Sequence, residues 1–205
     1  DKMNDRINTN DSNYITVERN DIFESSYKEI ENEDMLEKYE YEKWLNEFDI
    51  TFDGETGVDA GGLTREWFTK LIRTFFGRDN DCSLFVPTDN ENSFRHNTKL
   101  NNRKYFYYFR FAGLIIARAI VEGLCIDYHL SLPFIKMILH RNVCFKDMEN
   151  YSVSMFNSFE SILNTDIDND PYSEYYFEAT KVDSDGRETI QLIDGGNDIR
   201  VTKIT

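Results

Sequence analysis

The sequence has few basic residues for its length. Its 205 residues include 23 Lys and Arg against 38 Asp and Glu, which gives a formal net charge of −15. Because nucleic acids and anionic lipid surfaces bind faces rich in Lys and Arg, neither is an expected partner. The acidic excess is largest from Asp147 to Asp198, with thirteen Asp and Glu against two Lys and Arg. We interpret this stretch as a solvated surface, the alternative being an acidic face for a basic partner.

Cysteine is scarce, and long apolar runs are absent. The three cysteines, Cys82, Cys125 and Cys144, have no paired spacing, which fits reduced thiols inside a cell better than a secreted disulfide framework. No run is apolar enough to span a bilayer, and no signal-peptide pattern opens the chain. We therefore expect an intracellular protein, cytoplasmic or nuclear, without membrane insertion. Because the first residue is Asp rather than Met, we also expect a piece of a longer protein.

The composition is nevertheless sufficient for a folded core, since 40% of the residues are hydrophobic and 15% aromatic. We predict an α+β fold that is mostly α-helical, with small peripheral β-hairpins, over residues 14–205. A flexible polar segment over residues 1–13 precedes it. Apolar spacing predicts helices over 22–30, 63–76, 103–123, 132–140 and 146–164, the last as one or two helices. Strands are predicted over 14–17, 48–52, 175–182, 189–193 and 199–201, with a hairpin turn at 183–186.

Two segments have no clear periodicity, and some helical residues allow two interpretations. Residues 31–47 are predicted to form a second helix or an ordered loop. Residues 77–101 are predicted to form a long irregular loop. Arg110 and Arg118 are expected as surface charges, although either could be the buried half of an ion pair. The apolar residues predicted to face inward from the 146–164 region are Met148, Tyr151, Met155, Phe156, Phe159, Ile162 and Leu163.

The most informative stretch runs from Phe52 to Phe68 and reads F-D-G-E-T-G-V-D-A-G-G-L-T-R-E-W-F. It predicts a strand end, a glycine-rich loop and the start of an amphipathic helix that buries Trp67 and Phe68. Its four loop glycines can supply positive φ angles, and Gly61 and Gly62 are expected in conformations costly to other residues. The four are Gly54, Gly57, Gly61 and Gly62.

Charged residues in the same stretch could form a catalytic cluster, but a structural role is favoured. Asp59, Arg65 and Glu66 are predicted to form an ion pair that fixes the loop to the start of the helix, where Glu66 is also favoured by the helix dipole. The loop lacks the Gly-Lys-Ser/Thr sequence that holds a nucleotide phosphate.

Metal and cofactor sites are not expected. The three histidines, His96, His129 and His140, have no partner at ligand spacing. The Asp183–Gly186 stretch resembles part of a calcium loop, but Lys181 would occupy its first ligand position, so a hairpin turn is favoured.

The stretch from Phe52 to Phe68 resembles the opening signature of the HECT family of ubiquitin ligases, specifically the large N-terminal lobe of the HECT domain. Further motifs follow in the family's order. They are Tyr108-Phe109 with Phe111-Ala112-Gly113, Pro133 to Leu139, Lys146 to Glu149, Ser161 to Asn164, Gly195-Gly196 and Val201-Thr202. Together they extend over roughly residues 15–202.

The resemblance implies a transferase, but not a nucleophile in this chain. A family cysteine accepts ubiquitin as a thioester from a conjugating enzyme (E2) and passes it to a substrate lysine. It lies in a Thr-Cys-Phe context of a second lobe, expected downstream of Thr205, and the E2-docking subdomain is expected after Val201-Thr202. Conjugating enzyme, ubiquitin and protein substrates are the implied partners of the full-length protein, with no cofactor.

The three cysteines of this chain are therefore expected to be non-catalytic. Cys125 is predicted in the core, Cys144 as a buried inert thiol, and Cys82 as exposed in a polar loop. The resemblance implies an aromatic residue after Leu84-Phe85 as part of a non-covalent ubiquitin site in some family members; here Val86-Pro87 follows, so the resemblance leaves that site open. The alternative function is a HECT-like interaction module without catalytic activity that binds ubiquitin or substrate.

Overall fold

Residue contacts divide the chain into two units, which are described separately. A computed structural model describes residues 12–32, 41–55, 61–77, 83–89, 91–169, 174–183 and 186–202. Unit 1 consists of Asp1–Leu84 with Asn102–Tyr128, and unit 2 of Phe85–Asn101 with His129–Thr205. The single lobe over residues 14–205 stays a prediction, and most of the segment 1–13 lies outside the described residues.

Unit 1 combines two parallel strands with three α-helices. In chain order its elements are β1 (Asn13–Val17), α1 (Ile22–Asn32), a 3₁₀ turn (Tyr41–Leu45), β2 (Phe48–Phe52), α2 (Gly62–Phe75) and α3 (Arg103–Val121). In the parallel pair, Ile15 of β1 lies opposite Ile50 of β2, and both are buried. These strands and helices confirm the predictions from periodicity. The 3₁₀ turn is the described part of the segment left open between a helix and a loop.

The core of unit 1 is aromatic. The ring of Phe23 on α1 meets the rings of Phe75 on α2 and Phe111 on α3 edge to face, with centroids 5.9 Å apart in each case. Phe75 and Phe111 are fully buried. Edge-to-face rings bury a large apolar area and also gain from their quadrupoles. This packing joins the three helices.

Arg118 of α3 is buried, so its prediction as a surface charge was wrong. Its side chain is 5% exposed, donates to the Trp44 carbonyl oxygen at 2.7 Å, and pairs with Glu122 one turn later. A guanidinium can be buried when its charge is paired, and here both terminal nitrogens are bonded while Nε has no hydrogen-bond partner. Arg110, the other arginine considered, is half-buried.

Unit 2 contains short helices and two antiparallel strand pairs. In chain order its elements are β3 (Phe85–Pro87), β4 (Phe94–His96), α4 (Leu132–Ile138), a 3₁₀ turn (Phe145–Asn150), α5 (Val153–Asn164), β5 (Glu178–Asp183), β6 (Gly186–Gln191) and a 3₁₀ turn (Gly196–Asp198). Helices α4 and α5 and the β5–β6 hairpin confirm predicted elements. The two residues joining β5 to β6 lie outside the described ones.

Two predictions of secondary structure in unit 2 were wrong. The stretch 77–101 is not irregular throughout, because β3 and β4 pair antiparallel with Val86 opposite Arg95. Strands of three residues are too short to show alternation in sequence. The predicted strand over 199–201 is reduced to a single bridge between Tyr176 and Arg200.

The turn at Gly195-Gly196 needs both glycines. Gly195 has a φ of 71°, in the left-handed region. A Cβ on Gly196 would lie 2.2 Å from the carbonyl oxygen of Phe177, a distance that no side chain tolerates. The turn therefore fixes the end of the hairpin segment against the residues that precede β5.

Among the described residues, no helix is both long and apolar enough to cross a membrane. Within the same part of the chain, no three His, Cys, Asp or Glu side chains are grouped so that they could hold a metal ion. The mixture of α-helices with small two-stranded sheets is an α+β architecture, as predicted.

Candidate functional site

The glycine-rich loop leaves β2 and enters α2 through two positive φ angles. Gly54 has a φ of 73°, and the N–H of Glu55 donates to the Phe52 carbonyl oxygen at 3.1 Å. Gly61 has a φ of 84° and is the N-cap of α2. Gly62 is the first residue of α2 and is not among the positive-φ residues, so the expected conformational cost at Gly62 was wrong. Gly57 lies outside the described residues.

A buried aromatic pair follows this loop on α2. Trp67 and Phe68 are 0% and 1% exposed, respectively. The Trp67 indole N–H donates to the Ser26 hydroxyl at 2.9 Å, and its ring stacks on Phe48 with centroids 5.6 Å apart. Because every polar atom of the indole is satisfied in the core, this part of the signature stabilises unit 1.

An arginine outside the signature joins the two ends of the loop. Arg19 donates from Nη2 to Glu55 Oε2 at 2.8 Å and from Nη1 to Glu66 Oε1. Its guanidinium lies 3.9 Å from the centroid of the Phe52 ring. Hydrogen bonds from Arg19 lower the pKa of both Glu55 and Glu66. We call this arrangement the Arg19 clamp.

The sequence did not reveal the clamp. Arg19 is 36 residues from Glu55 and 47 from Glu66, so no local spacing indicates either pair. Lys70, one turn after Glu66, adds a contact of 3.4 Å to the same carboxylate. Arg65 is exposed on α2, and its predicted partner Asp59 lies outside the described residues, so that pairing stays a prediction.

Cys125 and Cys144 are both exposed, so the predictions that bury them were wrong. Cys125 Sγ lies 4.0 Å from Asp127 Oδ1. Cys82 lies outside the described residues. Flanking apolar residues indicated burial, but flanking residues in a loop do not determine which side chain turns inward.

The thiol of Cys144 belongs to a cluster around Asp147 in unit 2. The buried Asp147 carboxylate accepts from Lys136 Nζ at 2.6 Å and 2.8 Å and from the Cys144 backbone N–H at 2.8 Å. Cys144 Sγ donates to the same carboxylate at 3.3 Å. The Cys144 backbone N–H, followed by Lys136, lowers the pKa of Asp147 to about 2. The cluster ties α4 to the 3₁₀ turn that precedes α5.

Helix α5 presents apolar side chains to solvent. None of its residues is buried. Met155, Phe159 and Leu163 follow one another at four-residue intervals and are 46%, 43% and 68% exposed. Residues at this spacing lie on one helix face. We call these three side chains the α5 surface. The prediction from periodicity that they face inward was wrong.

The α5 surface is fixed in place from its N-terminal end. The Ser152 hydroxyl caps α5 by accepting from the Met155 N–H at 3.2 Å, and Ser154 donates to Asp89 at 2.9 Å. Phe156 stacks on Phe145 of the preceding 3₁₀ turn, with centroids 5.0 Å apart. Glu160 is the only charged residue of α5. The result is an ordered, nearly uncharged apolar face.

Comparison with known proteins identifies the family. The family model described as "HECT-domain (ubiquitin-transferase)" matches residues 69–204, about two thirds of the chain. The chain belongs to this HECT family. The match includes α5 and both hairpins of unit 2, but begins just after the signature stretch that ends at Phe68.

Curated relatives carry the name E3 ubiquitin-protein ligase. The chain is 37% identical over 189 residues to E3 ubiquitin-protein ligase TOM1 of Saccharomyces cerevisiae, covering 92% of this chain and 6% of the relative. It is 35% identical over 193 residues to E3 ubiquitin-protein ligase ptr1 of Schizosaccharomyces pombe, a match that covers 93% of this chain and 6% of the relative. It is 31% identical over 153 residues to the human E3 ubiquitin-protein ligase NEDD4, a match that covers 74% of this chain and 11% of the relative. The chain thus spans a small part of the length of these relatives.

The two adjacent glycines at the start of α2, Gly61 and Gly62, allow a direct test of the loop geometry. Gly61→Ala should lower the free energy of unfolding by about 1 kcal/mol, because a left-handed φ is costly for alanine. Gly62→Ala should raise it by about 0.5 kcal/mol, because alanine suits the helix and nothing lies within 4 Å of its new Cβ. Urea unfolding of both variants measures the difference. Equal effects of the two substitutions would contradict this loop geometry.

The Asp147 cluster predicts a pH-dependent contribution to stability. Because the folded-state pKa of about 2 lies below the ordinary value of 3.8, the contribution is complete above that value and is lost as pH falls towards 2. Asp147→Asn should therefore destabilise the protein strongly at pH 6 and less at pH 3, measured by urea unfolding. Lys136→Met should reduce the same pH dependence. A destabilisation by Asp147→Asn that is equal at both pH values would rule out this account.

Proposed function

We propose that the chain is the scaffold part of a HECT-type E3 ubiquitin ligase. The parent protein would accept ubiquitin from a conjugating enzyme as a cysteine thioester and transfer it to a substrate lysine. Membership of the HECT family supports the proposal, and the relatives with the highest identities given above carry the name E3 ubiquitin-protein ligase. We further propose an intracellular location, cytoplasmic or nuclear, because the reaction uses a reduced thiol.

The nucleophile of this reaction would lie downstream of Thr205. A catalytic thiol must lose its proton to a nearby base or be held as a thiolate by positive charge. The exposed thiol of Cys144 instead donates to Asp147, which is already paired with Lys136. With a pKa of about 2, that carboxylate is a poor base at neutral pH. This geometry favours a structural role for Cys144.

The α5 surface is the docking site that we propose for the conjugating enzyme. The observation that carries this proposal is an ordered helix with three apolar side chains in solvent and none of its residues buried. Contiguous apolar side chains on a protein surface mark interaction sites, and a single charge on α5 leaves hydrophobic contact as the source of affinity. The E2 is the partner that every HECT reaction must bind. The proposal differs from the expectation of a docking subdomain after Val201-Thr202, which stays a prediction.

Substitution on the α5 surface tests this assignment. Phe159→Ser and Leu163→Ser should each weaken binding of a conjugating enzyme by at least tenfold, because apolar anchors dominate such interfaces. Binding of a panel of purified conjugating enzymes can be measured by isothermal titration calorimetry. Since both side chains are exposed, thermal unfolding should change little.

Phe106→Ser is the matched control, because Phe106 is also an exposed phenylalanine but lies on α3 of unit 1, at 63% exposure. It should leave binding unchanged. The proposal is wrong if no member of the panel binds, or if the Phe106 variant loses as much affinity as the α5 variants.

A further inference from the structure

Unit 1 contains a pocket between α1 and the first turns of α3. Its volume is about 240 Å³. The side chains that define its character are three aromatic rings, one carboxylate and one ammonium, namely Phe23, Tyr105, Tyr108, Glu24 and Lys104. We call it the aromatic pocket. It belongs to unit 1, whereas the α5 surface belongs to unit 2.

The rings of the aromatic pocket stand nearly perpendicular to one another. The Phe23 and Tyr108 rings make an angle of 80° with centroids 4.9 Å apart, and the Tyr105 and Tyr108 rings make an angle of 78° at 6.1 Å. Tyr108 is itself buried and in edge-to-face contact with Phe23 and Tyr105, so what it offers to a cation is the part of its ring that Lys104 lies over. The negative face of each π-system attracts a cation placed against it.

A carboxylate adds negative charge beside the rings. The Tyr108 hydroxyl donates to Glu24 Oε1 at 2.9 Å, which holds the carboxylate at the pocket. Aromatic walls and a carboxylate together suit an ammonium group, which gains both cation–π attraction and ionic pairing.

The chain's own Lys104 demonstrates this preference. Its Nζ atom lies 5.0 Å from the centroid of the Tyr108 ring, although the side chain is exposed and could extend into water. Lys104 is the second residue of α3, where the positive end of the helix dipole disfavours a cation. Tyr108 first, and Glu24 to a smaller extent, raise the pKa of Lys104 and so favour its charged form at this position. The pocket is therefore already used by an ammonium.

We propose that the aromatic pocket binds the side-chain ammonium of a lysine presented by a protein partner, and that Lys104 fills it until the partner displaces it. Unmodified lysine and methylated lysine share this chemistry. Glu24 favours the unmodified ammonium, which can donate hydrogen bonds, and the ring faces favour the methylated one. This proposal does not depend on the ligase function.

A titration with small lysine analogues tests the proposal. The probes are N-acetyl-lysine methylamide, its trimethylammonium form, and a neutral analogue in which a tert-butyl group replaces the trimethylammonium. Binding is followed by NMR chemical shifts of α1 and α3 in the 205-residue chain. We expect saturable binding of at least one cationic probe, with the neutral analogue at least threefold weaker. Equal affinity for the neutral analogue would overturn the proposal.

Two substitutions locate the binding. Lys104→Met removes the competing ammonium and should tighten binding of the cationic probe roughly two- to fivefold, the value expected for one exposed cation–π contact. Tyr105→Leu removes one wall and should weaken binding by a similar factor. Lys28→Met is the control, because it removes an equal charge from an exposed position on α1. A gain from Lys28→Met equal to that from Lys104→Met, or no saturable binding to the Lys104→Met variant, would also overturn the proposal.

Discussion

One guanidinium joins the parts of unit 1 that the stretch from Phe52 to Phe68 connects. Arg19 follows β1, contacts Glu55 just after β2, and contacts Glu66 on α2 while lying over the Phe52 ring. A single exposed ion pair contributes little, but a guanidinium that bonds two carboxylates and stacks on a ring fixes their geometry. The loop between them therefore begins and ends at fixed positions. Trp67, the residue after Glu66, is fully buried and packs on Phe48 of β2, so α2 contacts the clamp and the core through neighbouring residues.

The two units use their apolar residues differently. In unit 1 a subset of the aromatic residues, namely Trp67, Phe68 and Phe75 of α2 with Tyr108 and Phe111 of α3, is turned inward, and even Arg118 is buried with its charge paired. In unit 2, α5 is amphipathic by sequence, yet its apolar face remains in solvent. Isolated exposed apolar residues are common on proteins, but three at four-residue spacing on one ordered helix require a further explanation. Partner binding supplies that explanation in the function that we propose.

Periodicity in the sequence predicted most of the helices and the β5–β6 hairpin. Periodicity identifies which residues share a helix face, but it does not show whether other parts of the protein cover that face. For that reason the prediction that Phe159 and Leu163 face inward was wrong. Arg118 was misplaced because residue preference alone was considered, although Glu122 at i+4 indicated a partner. Positive φ at Gly54 and Gly61 followed from glycine chemistry, whereas the clamp by Arg19 depends on contacts between residues far apart in sequence.

The central claim is that this chain is a ligase scaffold whose nucleophile lies elsewhere in a longer parent. The most direct test is thioester formation with a charged conjugating enzyme, comparing the 205-residue chain with the parent protein on gels run with and without reductant. The account predicts a reductant-sensitive ubiquitin adduct on the parent alone. An adduct on the 205-residue chain would make one of its own cysteines the nucleophile and contradict the account. No adduct on either protein would also contradict it and would support the non-catalytic interaction module.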